Sequence, residues 1–155
     1  MRFLALVSSL TLASCCLSSP IHAQVRIGEV AQTAIETPHP YPSGSASRPI
    51  VWSATLRHPG ATFVKLHFAS FAVQGAVENG EPLGDYVTLK NQDGAVQETF
   101  SGILPGDLWA RSIPGDTVTI ELHADAVSQA TGLRIDRYAY GTVPLARANL
   151  SDRLL

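Results

Sequence analysis

Two acidic residues hold the positions where this chain could do chemistry. Asp85 opens the strand-like segment Asp85-Tyr86-Val87, and Asp125 follows the alternating segment Thr117 to His123. Strand ends of this kind bring two carboxylates to one edge of a β-sandwich, a geometry that suits a calcium ion and a protein or sugar partner better than it suits catalysis. Catalysis would need a nucleophile beside a base in an identifiable context. The chain has no Gly-x-Ser-x-Gly, no His-Glu-x-x-His and no Gly-Asp-Ser-Gly-Gly. Ser70 and Ser101 lie in ordinary surroundings, so no catalytic residue is assigned. His67 and His123 fall on the polar faces of their strands, but no third ligand has a fitted spacing, and they read as exposed strand histidines rather than a metal pair. Trp109 with Tyr138 and Tyr140 has the composition of a sugar-stacking platform; the competing reading places Trp52 and Trp109 in the core or under loops.

The compartment follows from the first residues. Arg2 precedes the apolar run Phe3 to Ala13, too short to span a bilayer, and Ser18-Ser19-Pro20 leads to a small-residue cleavage site at Ile21-His22-Ala23. Residues 1–23 therefore read as a secretory signal, and the protein is expected in the periplasm or outside the cell. Leu12-Ala13-Ser14-Cys15 also has the form of a lipoprotein signal, which gives a lipid anchor at Cys15 as the alternative. Both cysteines, Cys15 and Cys16, lie in this segment, so cleavage after Ala23 leaves no thiol. Export without disulfides points to a bacterial source. Cleavage removes Arg2 and no acid, taking the net charge from −2 to −3. That balance excludes a nucleic acid or an anionic membrane surface as the partner.

The elements that must position the two aspartates are strands. Val25 to Val30 starts the pattern, and residues 24–36 read as an N-terminal extension. Pro38-His39-Pro40-Tyr41-Pro42 bars helix and central strand, leaving a crossing loop or a linker. Alternation then takes over: Ile50, Trp52, Ala54 and Leu56 on one face with Val51, Ser53, Thr55 and Arg57 on the other, then an aromatic strand over Phe63 to Val73 with Val64, Leu66 and Phe68 on its inward side. A polar loop is expected over Gly75 to Gly84, strands over Tyr86 to Lys90 and Ala95 to Phe100 around the turn Asn91 to Gly94, and further strands over Thr117 to His123 and Gly132 to Tyr140. No window carries a helical apolar period. About eight short strands make an all-β, antiparallel β-sandwich spanning 37–141 as one domain, followed by a tail over 142–155.

In order and spacing, the Pro-rich opener, Trp52, the run Pro59 to Val73, Asp85-Tyr86-Val87-Thr88-Leu89, Val118-Thr119-Ile120-Glu121-Leu122 and Gly132-Leu133 resemble the CUB domain. More narrowly, they resemble the CUB-like region ahead of the catalytic domain in secreted bacterial trypsin-like serine proteases. The resemblance implies a CUB-like jelly roll. It also implies a calcium site, with ligands that fall on Asp85, Asp125 and, where the family has Glu, Gln74. An amide in place of a carboxylate implies weak affinity, about 0.1 to 1 mM.

Two functions are expected from these readings. One is a secreted, non-catalytic binding or adhesion module, calcium-dependent, whose partner is an extracellular protein or polysaccharide. The alternative is an accessory or pro-region of a secreted trypsin-like serine peptidase, stand-alone or truncated.

Overall fold

A computed structural model describes residues 27–45, 47–125 and 130–142. The expected signal with Cys15 and nearly all of the expected tail lie outside them. Strand assignments from the sequence hold closely where alternation was clean. Strands β2 (Ile50–Arg57), β3 (Phe63–Val73), β6 (Tyr86–Lys90) and β11 (Thr117–His123) have the expected bounds, and β7 (Val96–Phe100) and β12 (Gly132–Gly141) differ by one residue. Of the expected Val25 to Val30 strand, residues 25 and 26 lie outside the described residues; the strand in the structure is β1 (Glu29–Glu36). It pairs antiparallel with β12, so part of the segment assigned to an extension belongs to the sheet.

Gly75 to Gly84 is not a plain loop. It forms the hairpin β4 (Gly75–Glu78) and β5 (Glu81–Gly84), because Asn79 and Gly80 both take positive φ, 51° and 85°, as a two-residue hairpin turn requires. Three short strands complete the list: β8 (Gly102–Leu104), β9 (Leu108–Trp109) and β10 (Ile113–Pro114).

These strands make an antiparallel β-sandwich. One sheet runs β1-β12-β3-β10, with β8 and β9 also hydrogen-bonded along β3; the other runs β2-β11-β6-β7. The core between them takes Val64, Leu66, Phe68, Phe71, Val73, Leu133 and Ile135 from the first and Leu56, Val87, Leu89, Val118, Ile120 and Leu122 from the second. Simple alternation along β3 would turn Phe71 outward. A register shift against β12 corrects this, since Arg134 faces Ser70 and Ile135 faces Phe68, leaving Ala69 as an extra residue. Phe68 then meets Phe71 and Phe100 edge to face at 5.5 and 5.3 Å. Trp52 is a partial correction to the expected core: it packs against the core only half-buried, because β2 is an edge strand with nothing beyond it among the described residues.

The Pro-rich segment is an ordered crossing loop. Thr37 N–H donates to Leu133 O at 3.1 Å, and Leu133 N–H donates to Thr37 Oγ1 at 3.0 Å. Only glycine fits beside it at position 132, where φ is 83° and a Cβ would strike Thr37. This lashing carries Tyr41 down onto the end of the sandwich where β6 begins.

Candidate functional site

Gly84, with a φ of 76° that glycine takes without strain, turns the chain out of the hairpin and into β6. Asp85 follows it and is 2% exposed. A carboxylate at that depth must have its hydrogen bonds met inside the protein. Its N–H donates to Gln74 O at 2.8 Å, and its carbonyl accepts the Ser101 hydroxyl at 2.5 Å. Oδ2 accepts the Tyr41 hydroxyl at 2.7 Å and Oδ1 accepts the Asp125 N–H at 3.0 Å. The Tyr41 hydroxyl in turn accepts the Gln74 N–H at 3.0 Å. Asp85 thus ties the Pro-rich loop, the bend at Gln74, the start of the strand Gly102–Leu104 and the Asp125 turn into one junction.

The structure brings Asp85, Asp125 and Gln74 together through backbone and side-chain bonds. It also shows what the sequence left out. Tyr41 and Ser101 are buried members of this junction, and the only hint of Tyr41 was an aromatic held between two prolines. Arg48 is the other omission. Its guanidinium donates to Pro82 O at 3.1 Å and Gly84 O at 3.2 Å, which occupies two carbonyls of the β4–β5 hairpin beside Asp85. Among the described residues no group of three or more His, Cys, Asp or Glu converges on a metal position. The oxygens that the expected ligands carry are the remaining lone pairs of the Asp85 carboxylate, the Asp125 carboxylate and the carbonyl oxygen of the exposed Gln74 amide. That chemistry fits a hard cation, in number fewer than the six to eight oxygens calcium takes.

The two histidines lie on different sheets, His67 on β3 and His123 on β11, and form no pair. His67 is also a correction to the exposed assignment, since it is 2% exposed. Its Nδ1 is 2.6 Å from Asp136 Oδ1 and its Nε2 is 2.8 Å from Asp107 Oδ1. Arg137 Nη2 stands 3.0 Å from that Nε2 and 2.8 Å from Asp107 Oδ1, and the Trp109 ring closes on the imidazole edge to face at 4.7 Å. Asp136 stands beside His67 as the extra residue of a bulge: Ile135 faces Phe68 and Arg137 faces His67. The hydrogen bond from His67 holds the Asp136 carboxyl below its ordinary range, against the opposing effect of burial. Trp109 is flanked by Lys65 Nζ and the Arg137 guanidinium at 5.8 and 5.7 Å from its centroid. Tyr138 and Tyr140 pack with His58 instead, so the three aromatics form no common platform.

No family model and no curated protein matches the chain. Among solved structures it is similar to one described as the CUB1-EGF-CUB2 domain of human MASP-1/3, at 22% identity and a TM-score of 0.49. That likeness covers 80% of this chain and 44% of the other, so the chain spans less than half the length of that structure.

Proposed function

We propose that this protein is a secreted, non-catalytic, CUB-like binding module, and that it engages an extracellular protein or polysaccharide through the end of the sandwich organised by Asp85. The observation that carries this is the Asp85 junction: one buried residue holds four separate chain segments, Tyr41 and Asp125 through its carboxylate and Gln74 and Ser101 through its backbone, giving a rigid base to the loops that flank it. Support against catalysis comes from His67. It has the aspartate partner of a general base, yet its Nε2 faces Asp107 and Arg137 and no hydroxyl among the described residues.

Calcium belongs to this proposal as a weak ligand held by Asp85, Asp125 and Gln74, where it would neutralise the buried charge and stiffen the loop end. The accessory-region alternative uses the same end to contact a peptidase. Localisation is part of the proposal too, in the periplasm or outside the cell, with the anchor at Cys15 as its variant. Among the described residues no helix is long and apolar enough to cross a membrane.

The test is a binding screen of the purified protein against polysaccharides and extracellular proteins, with and without calcium, repeated with Asp85→Asn. Binding that the substitution abolishes is the expected result. Turnover of casein or a peptide ester, blocked by a serine-directed inhibitor, would overturn the non-catalytic reading. An unchanged melting curve up to tenfold over a millimolar dissociation constant, where linkage gives about 1.4 kcal/mol, would remove calcium from it.

A further inference from the structure

We propose that the protein forms a two-fold dimer in which β2 adds antiparallel to β2 of a second copy, joining the two four-stranded sheets into one. The inference rests on how the four edges of the two sandwich sheets are treated and not on the binding reading above.

An unpaired edge offers a row of N–H and C=O groups to any other strand, and proteins blunt such edges with charge, proline, bulges or shortness. Three edges here are blunted. The edge strand β1 has a register break between Gln32 and Ile35 and a glutamate at each end. On the other side of that sheet, β8, β9 and β10 are two or three residues long, and β10 contains Pro114. The edge strand β7 is five residues long and carries Glu98.

The fourth edge has no such protection over most of its length. From Trp52 to Arg57, β2 pairs with β11 without interruption; the one register shift lies before it, at Val51. This stretch contains no proline and no acid. Its single charge, Arg57, is at the far end and is already bound to Asp116 at 3.2 Å. Trp52 is half-buried at this rim, and no described strand lies beyond it.

The occupant is read from the strand's own pattern. Opposed residues of an antiparallel pair lie on the same face of the sheet. Pairing about Ala54 places Trp52 opposite Leu56 of the second copy, both on the core side, and Ser53 opposite Thr55, both on the solvent side. Over Trp52 to Leu56 every apolar position meets an apolar one and every polar position a polar one; at the margin Arg57 meets Val51 on the solvent side, and no like charges oppose. The strand is complementary to itself in this register, and two Trp52 rings are covered. A contact of one eight-residue strand per copy is short for a specific interface, so the dimer is concentration-dependent, in the range of about 10 to 100 μM.

Sedimentation or light scattering across that range tests it with two double variants at exposed positions. S53K/T55K opposes lysine with lysine at both contacts, and S53K/T55E opposes lysine with glutamate. Lys at 53 is tolerated within the monomer because its neighbour on β11 is Glu121, and position 55 faces Thr119. The wild type is expected to approach twice the monomer mass, S53K/T55K to stay monomeric, and S53K/T55E to dimerise at least as well as the wild type, all three with matching circular dichroism. A wild type monomeric throughout the range, a dimeric S53K/T55K, or two variants that behave alike would overturn the proposal. So would a monomer that takes up an extended segment of another protein at this edge.

Discussion

Removing one oxygen atom tests whether Asp85 is the organising residue of the loop end. Tyr41→Phe deletes the hydroxyl that donates to Asp85 Oδ2 at 2.7 Å and accepts from Gln74 N–H at 3.0 Å, and leaves the buried ring in place. A hydrogen bond to a charged group contributes about 1.5 to 3 kcal/mol, and an unmet backbone donor adds to the loss when it is shielded from water. Gln74 is exposed, so water replaces much of the second bond, and the sum is about 2 to 3 kcal/mol. For a folded region of this length each kcal/mol moves Tm by about 4 °C, so Tyr41→Phe is expected to melt about 10 °C below the wild type. The assay is thermal unfolding by circular dichroism of wild type, Tyr41→Phe, Asp85→Asn and the double variant. The cycle should return a coupling of at least about 1 kcal/mol, because the two residues share a bond. A Tyr41→Phe protein that melts with the wild type, or a coupling near zero, would refute the argument that this bond holds the Pro-rich loop to the sandwich.

Three further outcomes follow from the same structure. Phe68→Ala should cost about 3 to 5 kcal/mol and Trp52→Ala only about 2, since Phe68 is fully enclosed and Trp52 sits at an open edge; equal losses in denaturant titration would contradict the edge assignment. His67→Ala should cost about 2 to 4 kcal/mol, because it empties a buried position and strips Asp136 and Asp107 of their shared partner; a change within about 0.5 kcal/mol would mean the junction contributes nothing. Acid should destabilise the fold through Asp136 and Asp116, both held below the ordinary carboxylate range, the first mainly by His67 and the second mainly by the Thr117 hydroxyl. A lowered folded-state value means that the contribution is present above the unfolded value of about 3.9 and is lost as pH falls through the folded one, so Tm should drop below about pH 4 and drop less in Asp136→Asn.

Much of the architecture could be read from local pattern. Val118, Ile120 and Leu122 alternate with polar residues and therefore bury one face, whatever the strand pairs with, and the bounds of β2, β3, β6 and β11 follow from the same period of two. Asp85 and Asp125 were legible as a pair because strand ends gather at sandwich ends. Register and bulges were not legible. They depend on which strand lies alongside: a single extra residue at Asp136 sets a carboxylate against His67, which Asp107, Arg137 and Trp109 also cover, so a histidine on the polar face of its strand is buried and bonded. The partners of Asp85 belong to the same class. Tyr41 and Asp125 lie about 40 positions away on either side, and only the packing of two sheets and one lashed loop brings their hydrogen-bond donors to a carboxylate that burial would otherwise penalise. The sequence alone determined which face of each cleanly alternating strand is apolar; the tertiary structure decided where a bulge resets that alternation, as at Phe71, and which polar groups meet, because register and hydrogen bonds between distant segments depend on distances that no local period encodes.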